Sequence, residues 1–450
     1  MDSFKLLLVL LDTDKNILVN RLGKEYLIPT FDNYVGDNVG FDDPQPYNNF
    51  YKKVTGVSVY RRYSFNTQNY VVFVFEKSPD ANTMLKSGVE WVSLDDFLVS
   101  QQDDEIYEIV HNIGLYYNKS VNMPWVNENG FFPYFIWLHE VCNKNKIKIT
   151  GKIKQVKNAY VSTVFSISSD TGNLYMKIPG KVYITELPFT YEMKMSGMIN
   201  YPVWVDYNSD LNVFLMKDMG GNDLPDHSDI EILKNVIVQL ARTQKESIQL
   251  LPLDCKHNDY RLKSILNELH NFSQRVFDIL DDTEYKITSD DHDKLDIKIH
   301  SAIKLLESLS NIIPDTIQNG DVRPGNIRLI GDKVIFYDWA WGSVSHPFID
   351  LSTFLHIIRR SLSESSADKE LLVDAYLNEW LEYGTKKELK SIFLILDDLK
   401  ELFMVYPDYF WVRDIYLSST EPIEAMSADG WLLERRNYYL ARVLRRFINK

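Results

Sequence analysis

A single β-hairpin pattern interrupts the helical half of this 450-residue chain. From Asp229 onward apolar residues recur at helical spacing, but NIRLIGDKVIFYDW, residues 326–339, places a Gly-Asp turn between two apolar runs. The residues before Asp229 consist mostly of short strand-like runs separated by turn residues. A strand-rich first half followed by a helical half with one inserted hairpin predicts an α+β fold.

Length and charge limit the classes of partner. At 450 residues, two or three domains are expected, and 45% hydrophobic with 25% charged residues is ordinary globular composition. The formal net charge is −14, which opposes binding to phosphate backbones and to anionic lipids. We therefore expect no nucleic-acid and no membrane partner, and a cationic small substrate would be favoured.

Cysteine content and hydropathy indicate the compartment. Two cysteines, Cys142 and Cys255, are too few for a disulfide framework or a zinc site, which fits a reducing cytoplasm. The apolar run at residues 4–11 is only eight residues long and reads as a buried strand. No run approaches the roughly 20 apolar residues that span a bilayer. We expect a soluble cytoplasmic protein, and its oligomeric state is left open.

The first part of the chain predicts a small domain that ends near residue 148. Residues 4–11 and 17–22, joined by a turn, predict a hairpin, and VSVYRRYSF and YVVFVFEK, separated by NTQN, predict two further strands. A further strand-like run follows at residues 90–98, and a helical, aromatic stretch covers residues 105–144. Beyond it, the runs KIKQVK, STVFSISS, LYMKIP, VWVDYN and NVFLMKDM predict more strands, with a helix before the last two.

Residues 318–351 carry the most informative motif. Asp321 is followed after four residues by Asn326, and the predicted hairpin ends at Asp338, twelve residues later. Phosphoryl transfer from ATP needs a carboxylate that orients the attacking hydroxyl and oxygen ligands for magnesium beside the phosphates. A loop carrying Asp321 and Asn326, with a hairpin that delivers Asp338, would supply all three groups.

This motif resembles that of the aminoglycoside phosphotransferase and choline kinase group. Members carry His-Gly-Asp, four residues, Asn, and then a strand that ends in Asp-Trp or a similar pair. Here Asn319 to Asp321 matches the first element, Asn326 the second and Asp338-Trp339 the third. A later Asp-Leu of the family matches Asp350-Leu351.

Two positions depart from the family pattern. Arg323 replaces a common second histidine, and Asn319 replaces the first histidine, which mainly braces the loop in the family. The second departure bears on loop geometry, since the groups that carry the chemistry are present.

The resemblance implies a two-lobed protein-kinase-like fold, with a β-rich N-lobe and hinge at residues 149–221 and a helical C-lobe at residues 222–450. It implies ATP as donor, Mg²⁺ as cofactor and the hydroxyl of a small molecule as acceptor. Asp321 would be the catalytic base, and Asn326 and Asp338 would be the magnesium ligands.

The resemblance also implies a phosphate anchor in the N-lobe. Lys177, at the end of LYMKIP, occupies the place of the family's lysine, and Glu192, fifteen residues on, would hold it, with Glu186 as the alternative. The turn at residues 158–162 would cover the phosphates.

An adenine-binding segment is implied at residues 212–221. Met216 would line the base pocket, and backbone atoms of Lys217 and Met219 would contact the adenine edge. Two glycines at its end permit the turn into the next lobe.

Residues 1–148 resemble the α/β Nudix hydrolase domains in the order of strands, the helix-like YNNFYKKVTGV and the Trp-containing EWVSLDDF. The carboxylates of the Nudix metal helix are missing, because an alignment on Gly56 puts Asn49, Phe50, Lys53 and Val54 at their positions. Such a domain is expected to be non-catalytic, and an unrelated small α+β domain is the alternative.

Two other functions fit the same sequence. One is a kinase-like protein that binds ATP without catalysis, and the other is a kinase whose acceptor is a peptide or protein docked by the N-terminal domain. Specificity in the group lies after Asp350, where Asp408, Asp414 and Glu421 could meet an amine or could be solvated surface.

Overall fold

A computed structural model gives the structure of the protein. It describes all residues except 1–4, 13, 32–42, 68, 79–83, 117–122, 127–128, 160, 182–185, 196–201, 251–258, 310–311, 360–361, 363–365, 406–408, 410–427 and 450. The described residues form two compact units. The first takes in residues from 1–182, 204–218 and 419–434, and the second takes in residues from 183–203, 219–418 and 435–450.

The first part of the first unit combines two small sheets with four helices. The strands are β1 (Lys5–Leu10), β2 (Asn16–Leu22), β3 (Glu25–Leu27), β4 (Thr30–Phe31), β5 (Val59–Asn66), β6 (Tyr70–Lys77) and β7 (Val89–Ser93). The helices are α1 (Gln45–Thr55), α2 (Leu94–Ser100), α3 (Asp104–Tyr116) and α4 (Phe132–Lys144). One sheet has the order β4-β1-β6-β5 and the other has the order β3-β2-β7.

The predicted hairpin of β1 and β2 is wrong. Strand β1 pairs in parallel with β6 and antiparallel with β4, while β2 pairs with β3 and β7 in the other sheet. The reason is burial, because the side chains from Leu6 to Leu10 are fully buried. A strand covered on both faces belongs in the middle of a sheet, where parallel pairing is common. Just beyond β1, an isolated antiparallel bridge joins Leu11 to Ile17 at the start of β2.

The other local predictions have mixed outcomes. The two runs separated by NTQN are strands, as predicted, and these strands, β5 and β6, pair antiparallel. The run at residues 90–98 is only half strand, because the Ser93 hydroxyl accepts a hydrogen bond from the Asp96 backbone at 3.1 Å and caps α2. Where the structure describes the helical stretch predicted at residues 105–144, it contains the α-helices α3 and α4 and a short 3-10 turn at Pro124–Val126.

The first unit also contains a five-stranded antiparallel sheet, whose strands are those that the strand runs predicted. Its strands are β8 (Ile149–Asn158), β9 (Ser162–Ser169), β10 (Gly172–Pro179), β11 (Trp204–Asn208) and β12 (Val213–Lys217). Their order is β11-β12-β10-β9-β8, which places β10 in the middle. This sheet lies in the same compact unit as the residues before 148. The boundary at 148 therefore stays a prediction, and so does the Nudix-like fold, which the comparisons below do not support.

The second unit is mainly helical, as the apolar periodicity predicted. Further helices among the described residues are α5 (Glu186–Met195), α6 (Ile230–Ser247), α7 (Leu262–Leu269), α8 (Phe272–Asp281), α9 (Ser289–Leu309), α10 (Phe348–Ile358), α11 (Ser366–Asn378), α12 (Lys386–Asp398) and α13 (Ala428–Asn449), whose first residues belong to the first unit. The remaining strands are β13 (Asn222–Asp223), β14 (Asp259–Tyr260), β15 (Thr316–Gln318), β16 (Ile327–Ile330), β17 (Lys333–Phe336) and β18 (Ser343–Ser345). The inserted hairpin is β16 and β17, as predicted.

Other sequence predictions concern residues that the structure describes only in part. Cys142 is buried and outside any disulfide. Cys255 and the acidic residues Asp408, Asp414 and Glu421 lie outside the described residues. In the part of the chain that the structure describes, no helix has the length and apolar character needed to cross a membrane.

The central position of β1 predicts the cost of truncating it. Leu8 is fully buried in the core around β1 and β6, so Leu8→Ala should destabilise the protein by about 2–5 kcal/mol. Leu22→Ala is the control, since Leu22 is 66% exposed and its truncation should change stability by less than about 0.5 kcal/mol. Urea denaturation measures both, and equal effects of the two substitutions would contradict the placement of β1.

Candidate active site

The loop that carries Asp321 is anchored to the start of α10. It follows β15, and the Asp350 carboxylate accepts hydrogen bonds from the backbone N–H groups of Asn319 and Gly320 at 3.1 and 3.2 Å. The Gln244 amide contributes a weaker bond to the same carboxylate at 3.4 Å. Burial raises the pKa of Asp350 to about 7, although these hydrogen bonds act in the opposite direction. The loop therefore begins at a fixed point in the interior.

Gly320 has a backbone conformation that a side chain would not permit. Its φ is +75°, and a Cβ atom there would lie 2.4 Å from the backbone oxygen of Trp341. Glycine avoids both the strain and the clash. The loop can then lie directly against the segment that follows β17.

Two neighbours hold the Asp321 carboxylate by one oxygen. Its Oδ2 accepts from the Asn326 amide at 2.8 Å and from Nε of Arg323 at 2.9 Å. Burial raises the pKa of Asp321 above its ordinary value; Arg323 opposes this change, and the nearby carboxylate of Asp338 adds to it. Among the described residues, no other side chain donates a hydrogen bond to Asp321, so its Oδ1 can face a reactant.

Asn319 holds this loop through two hydrogen bonds. Its side-chain oxygen accepts from the Asp321 backbone N–H at 3.2 Å, and its amide donates to the backbone oxygen of Tyr337 at 3.2 Å. The asparagine thus links the loop to the end of β17.

Asp338 lies directly after the hairpin in a left-handed conformation. Its φ is +57°, which is uncommon for a residue other than glycine and is typical of functional sites. The flanking residues hold it there. The Tyr337 N–H donates to the backbone oxygen of Asn326 at 3.0 Å, and the buried indole of Trp339 donates to the backbone oxygen of Phe336 at 2.9 Å.

The donor set of Asn326 and Asp338 fits magnesium. The Asn326 amide nitrogen donates to the backbone oxygen of Asp321 at 2.9 Å, which fixes the side chain and leaves its Oδ1 as the acceptor. An amide oxygen and a carboxylate are the hard oxygen ligands that Mg²⁺ prefers, and phosphates and water complete such sites. Within the described residues, no group of three or more His, Cys, Asp or Glu side chains could hold a metal ion. The remaining ligands of such an ion would be oxygens from outside these two side chains, such as water or phosphate.

Lys177 is a buried lysine in the middle of a sheet. It lies on β10 opposite Val164 and Phe214, and it is 4% exposed. Fully buried lysines are rare unless they are paired. Glu192 lies on α5 in the second unit, with its side chain outside the described residues, and the alternative Glu186 is buried on the same helix. The pairing of Lys177 with either glutamate stays a prediction.

The predicted adenine segment forms the expected strand and turn. Met216 is half-buried at the end of β12, Lys217 is exposed, and Met219 belongs to the second unit. Gly220 and Gly221 have φ of +67° and +66°, and a Cβ on Gly221 would lie 2.1 Å from the backbone oxygen of Leu329. The glycine pair therefore makes the turn possible, as predicted, while adenine contacts of Met216, Lys217 and Met219 stay predictions.

Sequence reasoning missed the residues behind the loop. Gln244 on α6 is buried, and its amide donates to Asp350 and to the backbone oxygen of Pro347 at 3.2 Å. The hydroxyl of Tyr376 donates to the Gln244 side chain at 2.5 Å. The sequence does contain one indication of this contact, because Gln244 lies four residues after Leu240 and therefore on the apolar face of α6.

No protein family and no curated protein matches the sequence. Among solved structures, choline kinase from Cryptosporidium parvum is similar over 70% of this chain and 96% of its own, with 11% identity and a TM-score of 0.45. Macrolide 2'-phosphotransferase from Brachybacterium faecium is similar over 69% of this chain and 97% of its own, with 11% identity and a TM-score of 0.43. Choline kinase from Streptococcus pneumoniae is similar over 69% of this chain and 99% of its own, with 10% identity and a TM-score of 0.42. Identities and TM-scores this low carry no weight for function, so the proposal below depends on the site itself.

Two glycines of the loop offer a matched test of its geometry. Gly320→Ala should destabilise the protein by about 1–3 kcal/mol and impair any activity of the site, because the new methyl group meets backbone and the φ becomes strained. Gly325→Ala should change stability by less than about 0.5 kcal/mol, since open space surrounds Gly325. Thermal unfolding of both variants checks this. Equal tolerance of alanine at the two positions would contradict the loop conformation.

Proposed function

We propose that this protein is a phosphotransferase of protein-kinase-like fold that moves the γ-phosphate of ATP to a hydroxyl of a small molecule, with Mg²⁺ as cofactor. The observation that carries the proposal is the bonded loop of Asp321 and Asn326, which lies beside the strained Asp338 at the end of a rigid hairpin. This combination supplies the groups that phosphoryl transfer requires from a protein, and little else is needed for the chemistry.

Asp321 is the general base in this proposal. Its Oδ2 is held by Asn326 and Arg323, so Oδ1 is turned toward the acceptor hydroxyl. The hydroxyl proton passes to this carboxylate while the hydroxyl oxygen attacks the γ-phosphorus. The bond between the γ-phosphorus and the oxygen that bridges to the β-phosphate breaks, and ADP leaves. The raised pKa of Asp321 makes it a better proton acceptor than an ordinary aspartate.

Asn326 and Asp338 would hold the magnesium ion, which would neutralise charge on the phosphates. The orientation of Asn326 supports this role, because its amide nitrogen is committed to Asp321 and its oxygen is not. The backbone strain at Asp338 supports it as well, since such strain is retained where surrounding structure enforces it for function.

Lys177 is the phosphate anchor in this proposal. Its burial on the central strand of a five-stranded sheet supports a specific role, because an ordinary surface lysine would be exposed. Glu192 is its proposed partner. Met216, with the backbone of Lys217 and Met219, is proposed to receive the adenine.

The acceptor is proposed to be small and uncharged or cationic. The net charge of −14 disfavours polyanionic acceptors such as nucleic acid. The hydrogen bonds of Asn319 weigh against a non-catalytic protein, because they hold the loop of Asp321 although this position departs from the family pattern. ATP turnover against aminoglycosides, nucleosides, amino alcohols and sugars tests the proposal, and turnover only with peptides would favour a protein kinase.

Removal of the base should abolish transfer. Asp321→Asn is expected to lower kcat by about 100-fold or more while nucleotide binding is retained, because the substitution acts on the chemical step. Asp332→Asn is the matched control, since Asp332 is exposed on the hairpin turn and should be neutral. The measurement is ADP release with the best acceptor from the panel. Activity of Asp321→Asn within about threefold of wild type would contradict the assigned role.

Removal of the carboxylate ligand should abolish the magnesium dependence of nucleotide binding. Asp338→Ala removes the one charged protein ligand proposed for the ion, so a nonhydrolysable ATP analogue should bind about equally with and without Mg²⁺. Calorimetry on the full chain measures this, with Asp332→Ala as control. A magnesium dependence in Asp338→Ala equal to that of wild type would place the metal site elsewhere.

A further inference from the structure

Two consecutive buried arginines on β5 have different partners. Nε of Arg62 lies 2.9 Å from Oε2 of Glu76 on β6, so this pair stays within the first 148 residues. Nη2 of Arg61 donates to the backbone oxygen of Asn158 at 2.8 Å, at the end of β8. Arg61 is 1% exposed. Its guanidinium group therefore links the first part of the chain to the five-stranded sheet.

This link is reciprocal and consists of buried hydrogen bonds. The Gln155 side chain donates to the backbone oxygen of Arg61 at 2.7 Å and accepts from the Arg61 N–H at 2.8 Å. The Asn158 amide donates to the backbone oxygens of Arg61 and, at 3.1 Å, of Arg62. Strands β5 and β8 are thus joined by hydrogen bonds between side chains and backbone, in place of the backbone hydrogen bonds of a sheet.

Aromatic rings fix the guanidinium group of Arg61. It lies 4.8 Å from the ring centroid of Phe73 and 5.9 Å from that of Tyr47. A buried cation is costly unless it is paired or hydrogen-bonded, and the planar fork of arginine gives direction to its bonds. Asn158 is therefore held in one place by a rigid group.

Asn158 begins the turn that leads from β8 to β9. Backbone bonds of 3.0 and 3.1 Å between Ala159 and Ser162 close this turn, and the N–H of Gly180 donates to the backbone oxygen of Val161 at 2.8 Å. In the same sheet, Ser162 pairs with Pro179 and Val164 pairs with Lys177. The turn and Lys177 consequently lie near the same end of the sheet.

We propose that Arg61 is a positioning residue for the nucleotide, which acts through Asn158 by fixing the turn that covers the phosphates beside Lys177. The first 148 residues would then be an integral part of the ATP site and not only an attached domain. This proposal rests on the proposed function, because the turn covers phosphates only if ATP is bound beside Lys177.

Substitution of the two arginines separates positioning from general stability. Arg61→Met and Arg62→Met each remove one buried guanidinium from the same strand, and both should lower the temperature of unfolding. Only Arg61→Met should weaken binding of a magnesium-loaded nonhydrolysable ATP analogue, by about tenfold or more, since it removes the guanidinium bond to the backbone oxygen of Asn158. Arg62→Met should keep the dissociation constant within about twofold of wild type, because its guanidinium contacts Glu76.

Hydrogen exchange in the nucleotide-free protein gives a second readout. The N–H groups of Ala159 and Ser162 should exchange faster in Arg61→Met than in wild type or in Arg62→Met. If Arg61→Met does not fold, Arg61→Lys replaces it, since lysine keeps the charge and loses the planar fork.

Three outcomes would overturn the proposal. Unchanged affinity and exchange in Arg61→Met would overturn it alone, with the proposed function intact. Equal loss of affinity in the two methionine variants would show that general destabilisation is the cause. Absence of nucleotide binding in wild type would overturn this proposal together with the proposed function.

Discussion

The Asp350 carboxylate is the interaction on which the candidate site depends. It accepts two consecutive backbone N–H groups, those of Asn319 and Gly320, and so it fixes the start of the loop that carries Asp321. Behind it, Gln244 and Tyr376 complete a buried polar network that joins three helices. A buried carboxylate is costly without such partners, so the network and the loop stabilise each other.

The loop of Asp321 and the hairpin of β16 and β17 hold each other in place, because hydrogen bonds run between them in both directions. Asn326 donates to Asp321, the N–H of Tyr337 donates to the backbone of Asn326, and Asn319 donates to the backbone of Tyr337. Rigid placement is what phosphoryl transfer demands, since the protein contributes positioning and charge stabilisation more than covalent chemistry. These hydrogen bonds also hold Asp338 in its left-handed backbone conformation, which is strained for a residue other than glycine.

The sequence predicted the local features of the site and missed the long-range ones. The hairpin, the loop spacing and the glycine turn at residues 220–221 depend on neighbours along the chain, so turn chemistry and periodicity were sufficient. The pairing of β1 with β6 depends on burial in the tertiary fold, which led to the wrong hairpin. The bonds of Arg61 to Asn158 and of Gln244 to Asp350 join residues about a hundred positions apart, and no local pattern marks them.

A crystal structure of the full chain with Mg²⁺ and a nonhydrolysable ATP analogue tests the central claim most directly. The account predicts a metal ion bound to Oδ1 of Asn326 and to the Asp338 carboxylate at about 2.1 Å, with phosphate oxygens as further ligands. It also predicts the γ-phosphate within reach of a hydroxyl that contacts Asp321. A nucleotide bound elsewhere, or a metal ion that contacts neither Asn326 nor Asp338, would contradict it.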